Sequence, residues 1–479
     1  GTGYYVQADG TLATTADTVS VFAGKALSST SLQLDGPEAE PAVAAVVSGT
    51  ADFVASGTLP NGAPVILQSD GTVTKARLIG SSETIPASSQ VDVTSGTVHA
   101  VASAFDPNTP NVFVVVYRDA SNSNYGTSVV GTISGTSISF GSPVVFTSNN
   151  TPNLSVAFDP SVAGKFVIAF ATGWSGPAQA IVGTISGTSI SFGSSSTFYS
   201  GEAGGLSVGF TSSSSTFAIG YSDYGHSAYG NVIAGTISGT SISFGTSVVF
   251  HATASYFGQR LAFEPNSSKF VVAYSDTGNG DKGTVKVGTV SGTSISLGAA
   301  HVVYPDKTSE NNLAFSLSGY FVVTCRDASY NATANDVVAT VGTISGTSIS
   351  LGTGVVFDNN CDWVGMAFDP NTPNVFVISY RDAANSSYGT TIVGTVSGTS
   401  ISFGSPVVFN TANSTYCDVI FDATSSKFVI TYKDYLTNRA ASILGQLAIP
   451  YVTNLTATNF VGTSTAAYTN GQTASIMLQ

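Results

Sequence analysis

The chain has 479 residues, of which only 9% are charged, with 28 acidic against 15 basic side chains and a formal net charge of -13. No basic stripe is present to release counterions from a phosphate backbone, which argues against nucleic acid as a partner, and no apolar run is long enough for membrane insertion by a helix. Ser, Thr, Gly and Asn dominate the polar positions, so the surface is mainly hydroxyl and amide, a composition that suits a virion or extracellular surface.

In chain order, residues 1–40 open with the strand-like run TGYYVQ and continue through VFAGKAL, and 41–82 read as a β-rich linker. A start at Gly1 with no leader reads as a trimmed piece of something longer. Residues 83–450 form the repeat region and 451–479 a β-rich tail. The repeat is announced by GTISGTSIS, which returns almost unchanged at Gly131, Gly183, Gly235, Gly288, Gly342 and Gly394, a period of about 52 residues.

Within one copy, Ile181–Ser186 and Ser189–Phe192 alternate in polarity around a Gly-Thr pair, the pattern of a tight hairpin. Upstream, Leu154–Phe158 and Lys165–Phe170 flank Asp159-Pro160, a turn signal. Four antiparallel strands at this period, without helical periodicity, predict an all-β chain built as a β-propeller.

The last copy has only three such strands, Cys417–Phe421, Lys427–Tyr432 and Ser442–Ala448. Before the first copy, ETIPASSQVDV at Glu83–Val93 aligns without a gap on TSISFGSPVVF at Thr136–Phe146. The expectation is therefore seven four-stranded blades, with the N-terminal strand completing the last blade and removing two exposed sheet edges. The three cysteines, Cys325, Cys361 and Cys417, fall at non-equivalent positions and read as buried small hydrophobes.

The end segments carry a resemblance. YYVQADGTL and VFAGKALSSTSLQL near the start, NFVGTSTAAYTNGQTASIMLQ at the end, and ASGTLPNGAPVILQSDGTV at Ala55–Val73 resemble a small β-module of marine bacteriophage virion and appendage proteins that also carry a propeller. In those proteins the two halves run in the opposite order. The resemblance implies that residues 1–40 supply the second half and 451–479 the first, joined within one chain or across neighbouring subunits. Tyr4, Tyr5, Val6, Ile476, Met477 and Leu478 then become assembly residues, with self-association or virion and filament neighbours as partners.

Chemistry is sparse. The recurring ionisable motif follows the second strand of six units, Tyr117-Arg118-Asp119, Tyr221-Ser222-Asp223, Tyr274-Ser275-Asp276, Cys325-Arg326-Asp327, Tyr380-Arg381-Asp382 and Tyr432-Lys433-Asp434, while the second unit departs with Phe170-Ala171-Thr172. One reading makes each Asp close its own loop in an Asx turn. The other makes the carboxylates and cations a ring around the channel mouth that hydrogen-bonds sugar hydroxyls. Trp174, Tyr125, Tyr229, Tyr388 and His226 break the repeat and offer aromatic faces for a host-surface glycan. No cofactor is called for; Asp276 and Asp281 could hold Ca²⁺ through oxygen, but the loop lacks the acidic spacing of a calcium loop.

The histidines are scattered, no Ser–His–Asp set is recognisable, and no arginine cluster for a sugar carboxylate is visible, so no catalytic residue is assigned. The sequence reading is a non-enzymatic structural or adhesive propeller. A carbohydrate-active depolymerase or lyase, which needs only two carboxylates at the right separation, and a subunit of a cellular surface filament are the alternatives.

Overall fold

The computed structural model describes residues 90–447, apart from 213, 255–258, 266, 329–335, 373 and 426, together with the backbone of strands toward both ends. The architecture is all-β. Among the described residues the only helical elements are two single 3₁₀ turns, Tyr224–His226 and Thr277–Asn279, and no helix is long and apolar enough to cross a membrane.

The chain divides into two compact units, residues 82–449 and a second made of 1–81 with 450–479. In the larger unit, Val98–Phe105, Val112–Asp119, Tyr125–Ser134 and Ser137–Phe140 pair antiparallel in chain order. After Phe140 the chain bends back, and Val144–Asn150 pairs with the opposite half of Tyr125–Ser134, so the outer position is shared by two segments. The pattern then returns, with innermost strands at Leu154–Phe158, Ala203–Phe210, Arg260–Phe263, Cys361–Phe368 and within the long strands Ser294–Phe315 and Val407–Phe421. Those two long strands run from the outer position of one unit straight into the innermost position of the next.

The repeated phrase has a physical cause. Gly135 sits at φ 60° in the two-residue turn between Ser134 and Ser137, the glycine-first arrangement of a II′ hairpin. Gly131 lies under the ring of buried Phe113, and a Cβ there would come within 2.2 Å of Phe113 Cζ. The last unit has lost the phrase yet keeps this contact, since a Cβ on Gly445 would also lie 2.2 Å from Phe428 Cζ. Burying each such Phe contributes about 1.5–3 kcal/mol.

Successive innermost strands touch one another, and Val407–Phe421 lies against Val98–Phe105. Carboxylates from the turns stitch neighbours: Gly164 N donates to Asp106 Oδ2 at 2.8 Å and Asn111 N to Asp422 Oδ1 at 3.2 Å. Ser103 donates from its amide and its hydroxyl to Asp418 Oδ2, both at 2.8 Å. Arg439–Leu447 receives Glu83–Thr84 and Val91–Asp92 as antiparallel partners, with Val93 N donating to Ala440 O at 2.8 Å. One apolar core joins Val93, Val98, Phe113 and Ile133 to Val429, Ala440 and Leu444. All three cysteines are buried and unpaired.

In the smaller unit, Gly3–Val6 pairs with Leu12–Ala13 and Val21–Ser28, and Ser31–Gln33 completes that four-stranded sheet. The two tail strands, Phe460–Ser464 and Thr473–Leu478, do not pair with it. They join Thr50–Val54, Pro64–Leu67 and Val73–Lys75 in a five-stranded sheet, with Ile476 opposite Ala51, Met477 opposite Thr50 and Leu478 opposite Gly462. The 41–82 stretch thus contributes three strands to that sheet. Only the backbone of Tyr4, Tyr5, Val6, Ile476, Met477 and Leu478 is described.

Candidate functional site

The innermost strands enclose a channel of about 830 Å³. Residues at equivalent places in each unit, three before the closing Phe, are Ala102, Ser155, Ser207, Arg260, Asn312, Gly365 and Asp418, and all but Gly365 line it. Five of the seven are small or neutral, and the symmetry breaks only at Arg260 and Asp418. Both line the channel. Asp418 is raised by burial, an effect opposed by its hydrogen bonds from Ser103 and by Arg260. Arg260 touches solvent inside the channel while protein surrounds its charge, and burial lowers its pKa despite Asp418 and Glu310 nearby.

Toward one end of these strands the pairing register slips, between Val98 and Val101, Gly204 and Ser207, Thr308 and Asn311, Asp362 and Gly365, and Thr415 and Asp418. Such bulges re-aim side chains. Here they place Glu310, Trp363 and Tyr416 on the channel wall. Trp363 and Tyr416 both take φ 53°, where the corresponding position in another unit is Gly205 at φ 57°, and their rings meet at 4.3 Å between centroids.

The cations of the repeated motif lie opposite these bulges. Arg381 grips Asp362 with two nitrogens, Nε donating to Oδ1 at 2.6 Å. Arg326 Nη1 lies 3.9 Å from Glu310 Oε1, whose other oxygen accepts Trp363 N at 3.0 Å. Arg118 stacks over the Trp174 ring at 5.7 Å, and Lys433 Nζ sits 4.5 Å from the Tyr435 ring centroid. Trp174 is 63% exposed, and Tyr435 is exposed as well. Glu310 is raised by burial and by Asp362, with Arg326 opposing.

Of the residues singled out from sequence, Trp174 lines the channel, Arg118 stacks on its ring, and Arg326 and Arg381 hold Glu310 and Asp362 at the bulges. The motif carboxylates instead hold their own turns or neighbours. Asp119 accepts Ser121 N at 3.0 Å, Asp382 accepts Asn385 N at 2.9 Å and Asp434 accepts Leu436 N at 2.9 Å. Asp223 accepts His226 N at 3.0 Å, pairs with His226 Nδ1 at 2.7 Å and also accepts the Tyr199 hydroxyl. Asp327 accepts Tyr304 Oη at 3.1 Å.

Tyr125, Tyr229 and Tyr388 start the third strands opposite Asp119, Asp223 and Asp382, closing the same turns. Asp276 faces His251 Nε2 at 3.6 Å and Asp281 pairs with Lys307 at 3.1 Å, and no cluster of three metal-binding side chains occurs among the described residues. Burial raises the Cys325 thiol to about 12 and Cys417 further still, which makes neither a nucleophile.

Arg118, Arg260, Arg326, Arg381 and Lys433 come from five different units, each on or opposite an innermost strand; of the five, Arg260 lines the channel. Arg260, Glu310, Trp363, Tyr416 and Asp418 carried a sequence signal that was passed over: each breaks an otherwise small or neutral column when the units are aligned on their closing Phe.

No protein-family model and no curated protein matches the chain. Solved structures with a similar course include a protein of unknown function from Dyadobacter fermentans (10% identity, 76% of this chain and 99% of that one, TM-score 0.46). Sqt1 from Chaetomium thermophilum is similar at 13% identity (77% and 100%, TM-score 0.44). The Aleuria aurantia lectin, described as a six-bladed β-propeller with a fucose recognition mode, is similar at 11% identity (66% and 97%, TM-score 0.41).

Proposed function

We propose that the larger unit is a seven-bladed β-propeller, closed by the strand around residues 83–93, and that it serves as a non-catalytic, glycan-binding display surface on a virion or extracellular appendage. The observation that carries the binding reading is the channel mouth, where Trp174, the stacked Trp363 and Tyr416, and Tyr435 present aromatic faces beside guanidinium groups. Aromatic rings offer large apolar area at low entropy cost, and flanking charged donors fix the orientation of hydroxyl-rich ligands. The closure is supported by the pairing of Arg439–Leu447 with the 83–92 strands and by the packing of the last innermost strand on the first. A glycan array probed with the intact chain and with Trp174→Ala and Trp363→Ala tests the reading. Selective binding that each substitution weakens at least about tenfold is expected, and binding that survives both would move the site elsewhere.

A hydrolytic reading has one observation in its favour, two channel carboxylates, Glu310 and Asp418, both raised by burial. Release of reducing ends from a bound polysaccharide, lost in Glu310→Gln, would establish it; binding without release would retire it.

A further inference from the structure

We propose that the glycan held at the channel mouth is acidic, its carboxylate or sulfate received by Arg118, Arg260 and Lys433. The inference rests on the glycan-binding reading above and names its substrate class. Among the described residues, the basic groups Arg326 and Arg381 are already committed to Glu310 and Asp362. The other three are not. Arg118 makes no ion pair among the described residues; its Nε is buried without a partner, the Trp174 ring lies under it, and Tyr416 and His99 are near. Lys433 is 4% exposed, yet its ammonium meets only the Tyr435 ring. Arg260 projects into the channel with Asp418 and Glu310 near but not in contact.

The buried Nε of Arg118 and the nearly buried Lys433 lack a matched anion, which is expensive inside protein. Burial lowers the pKa of all three, as it would for cations lacking a matched anion. A planar carboxylate or a sulfate accepts guanidinium donors in a fork, and the aromatic walls beside them suit the sugar ring that would carry it.

The test is calorimetric titration of the full chain with an oligogalacturonide and with a sulfated oligosaccharide, each beside its carboxyl-reduced or desulfated counterpart, for wild type, Arg118→Gln and Arg260→Gln. At least one acidic form should bind about tenfold or more tighter than its neutral counterpart, weaken with added salt, and lose about tenfold in each variant. Which acidic form does so distinguishes carboxylate from sulfate. The salt response of wild type keeps the claim testable if a variant unfolds. Equal binding of acidic and neutral forms, or tight binding in both variants, overturns the inference while leaving the glycan reading intact. Binding to no sugar overturns both, and a preference for single-stranded DNA over every sugar overturns the ligand class.

Discussion

Trp363 and Tyr416 hold a backbone conformation that costs a bulky side chain about 1–3 kcal/mol each, yet both occupy it at φ 53° where another unit uses Gly205. Strain of that kind is retained where a side chain must point to a particular place, and here both rings point into the channel wall. Asp358 shows the opposite case, a residue whose environment works against its charge. Burial raises its pKa to about 6, although the Tyr380 hydroxyl donates to it at 2.8 Å.

A carboxyl raised in the folded state favours folding fully below its unfolded value, near 3.8, and loses that contribution as pH rises through about 6. Asp358→Asn, which keeps an acceptor for Tyr380, should therefore stabilise the protein at pH 7.5 by about 1 kcal/mol after allowance for solvent screening. Thermal melts should show that gain disappearing at pH 4. An equal gain at both pH values would mean that packing, not ionisation, is responsible.

At the scale of elements, strands, turns and period were legible because they rest on local rules: alternation, a glycine-first turn and Asp-Pro stops. The closing contact of Gly445 on Phe428 was not, since the phrase that marks it in six units is absent from the seventh. Gly445→Ala should cost about 1–3 kcal/mol by overpacking, whereas Gly404→Ala, whose Cβ would meet nothing nearer than Val393 O at 3.7 Å, should cost far less. Urea midpoints of the two variants measure the difference, and equal midpoints would show that Phe428 moves aside freely.

The mouth was only partly legible for a related reason. Arg118, Arg326 and Arg381 belong to a visible motif, whereas Glu310, Trp363 and Tyr416 show only as breaks in one column of the aligned units and reach the channel through register slips. The turn-closing reading of the motif carboxylates was legible from sequence, and Asp119, Asp382 and Asp434 hold their own turns.

For the whole molecule, near-symmetry and its breaks divide the labour. The repeated glycine, phenylalanine and aspartate contacts build one unit after another, and the interruptions at Trp174, Arg260, Glu310, Trp363 and Tyr416 fall around one channel. The tail strands pair with Thr50–Val54 and Pro64–Leu67 of their own chain. The channel mouth is the surface on which the functional account rests. An experimental structure of the chain with an acidic oligosaccharide tests it most directly. The account predicts a sugar ring against Trp174 or the Trp363–Tyr416 pair, its anionic group facing Arg118 or Arg260, inside a ring closed by the strand at 83–93. A ligand bound at the outer rim, or an open ring with that strand unpaired from Arg439–Leu447, would contradict it.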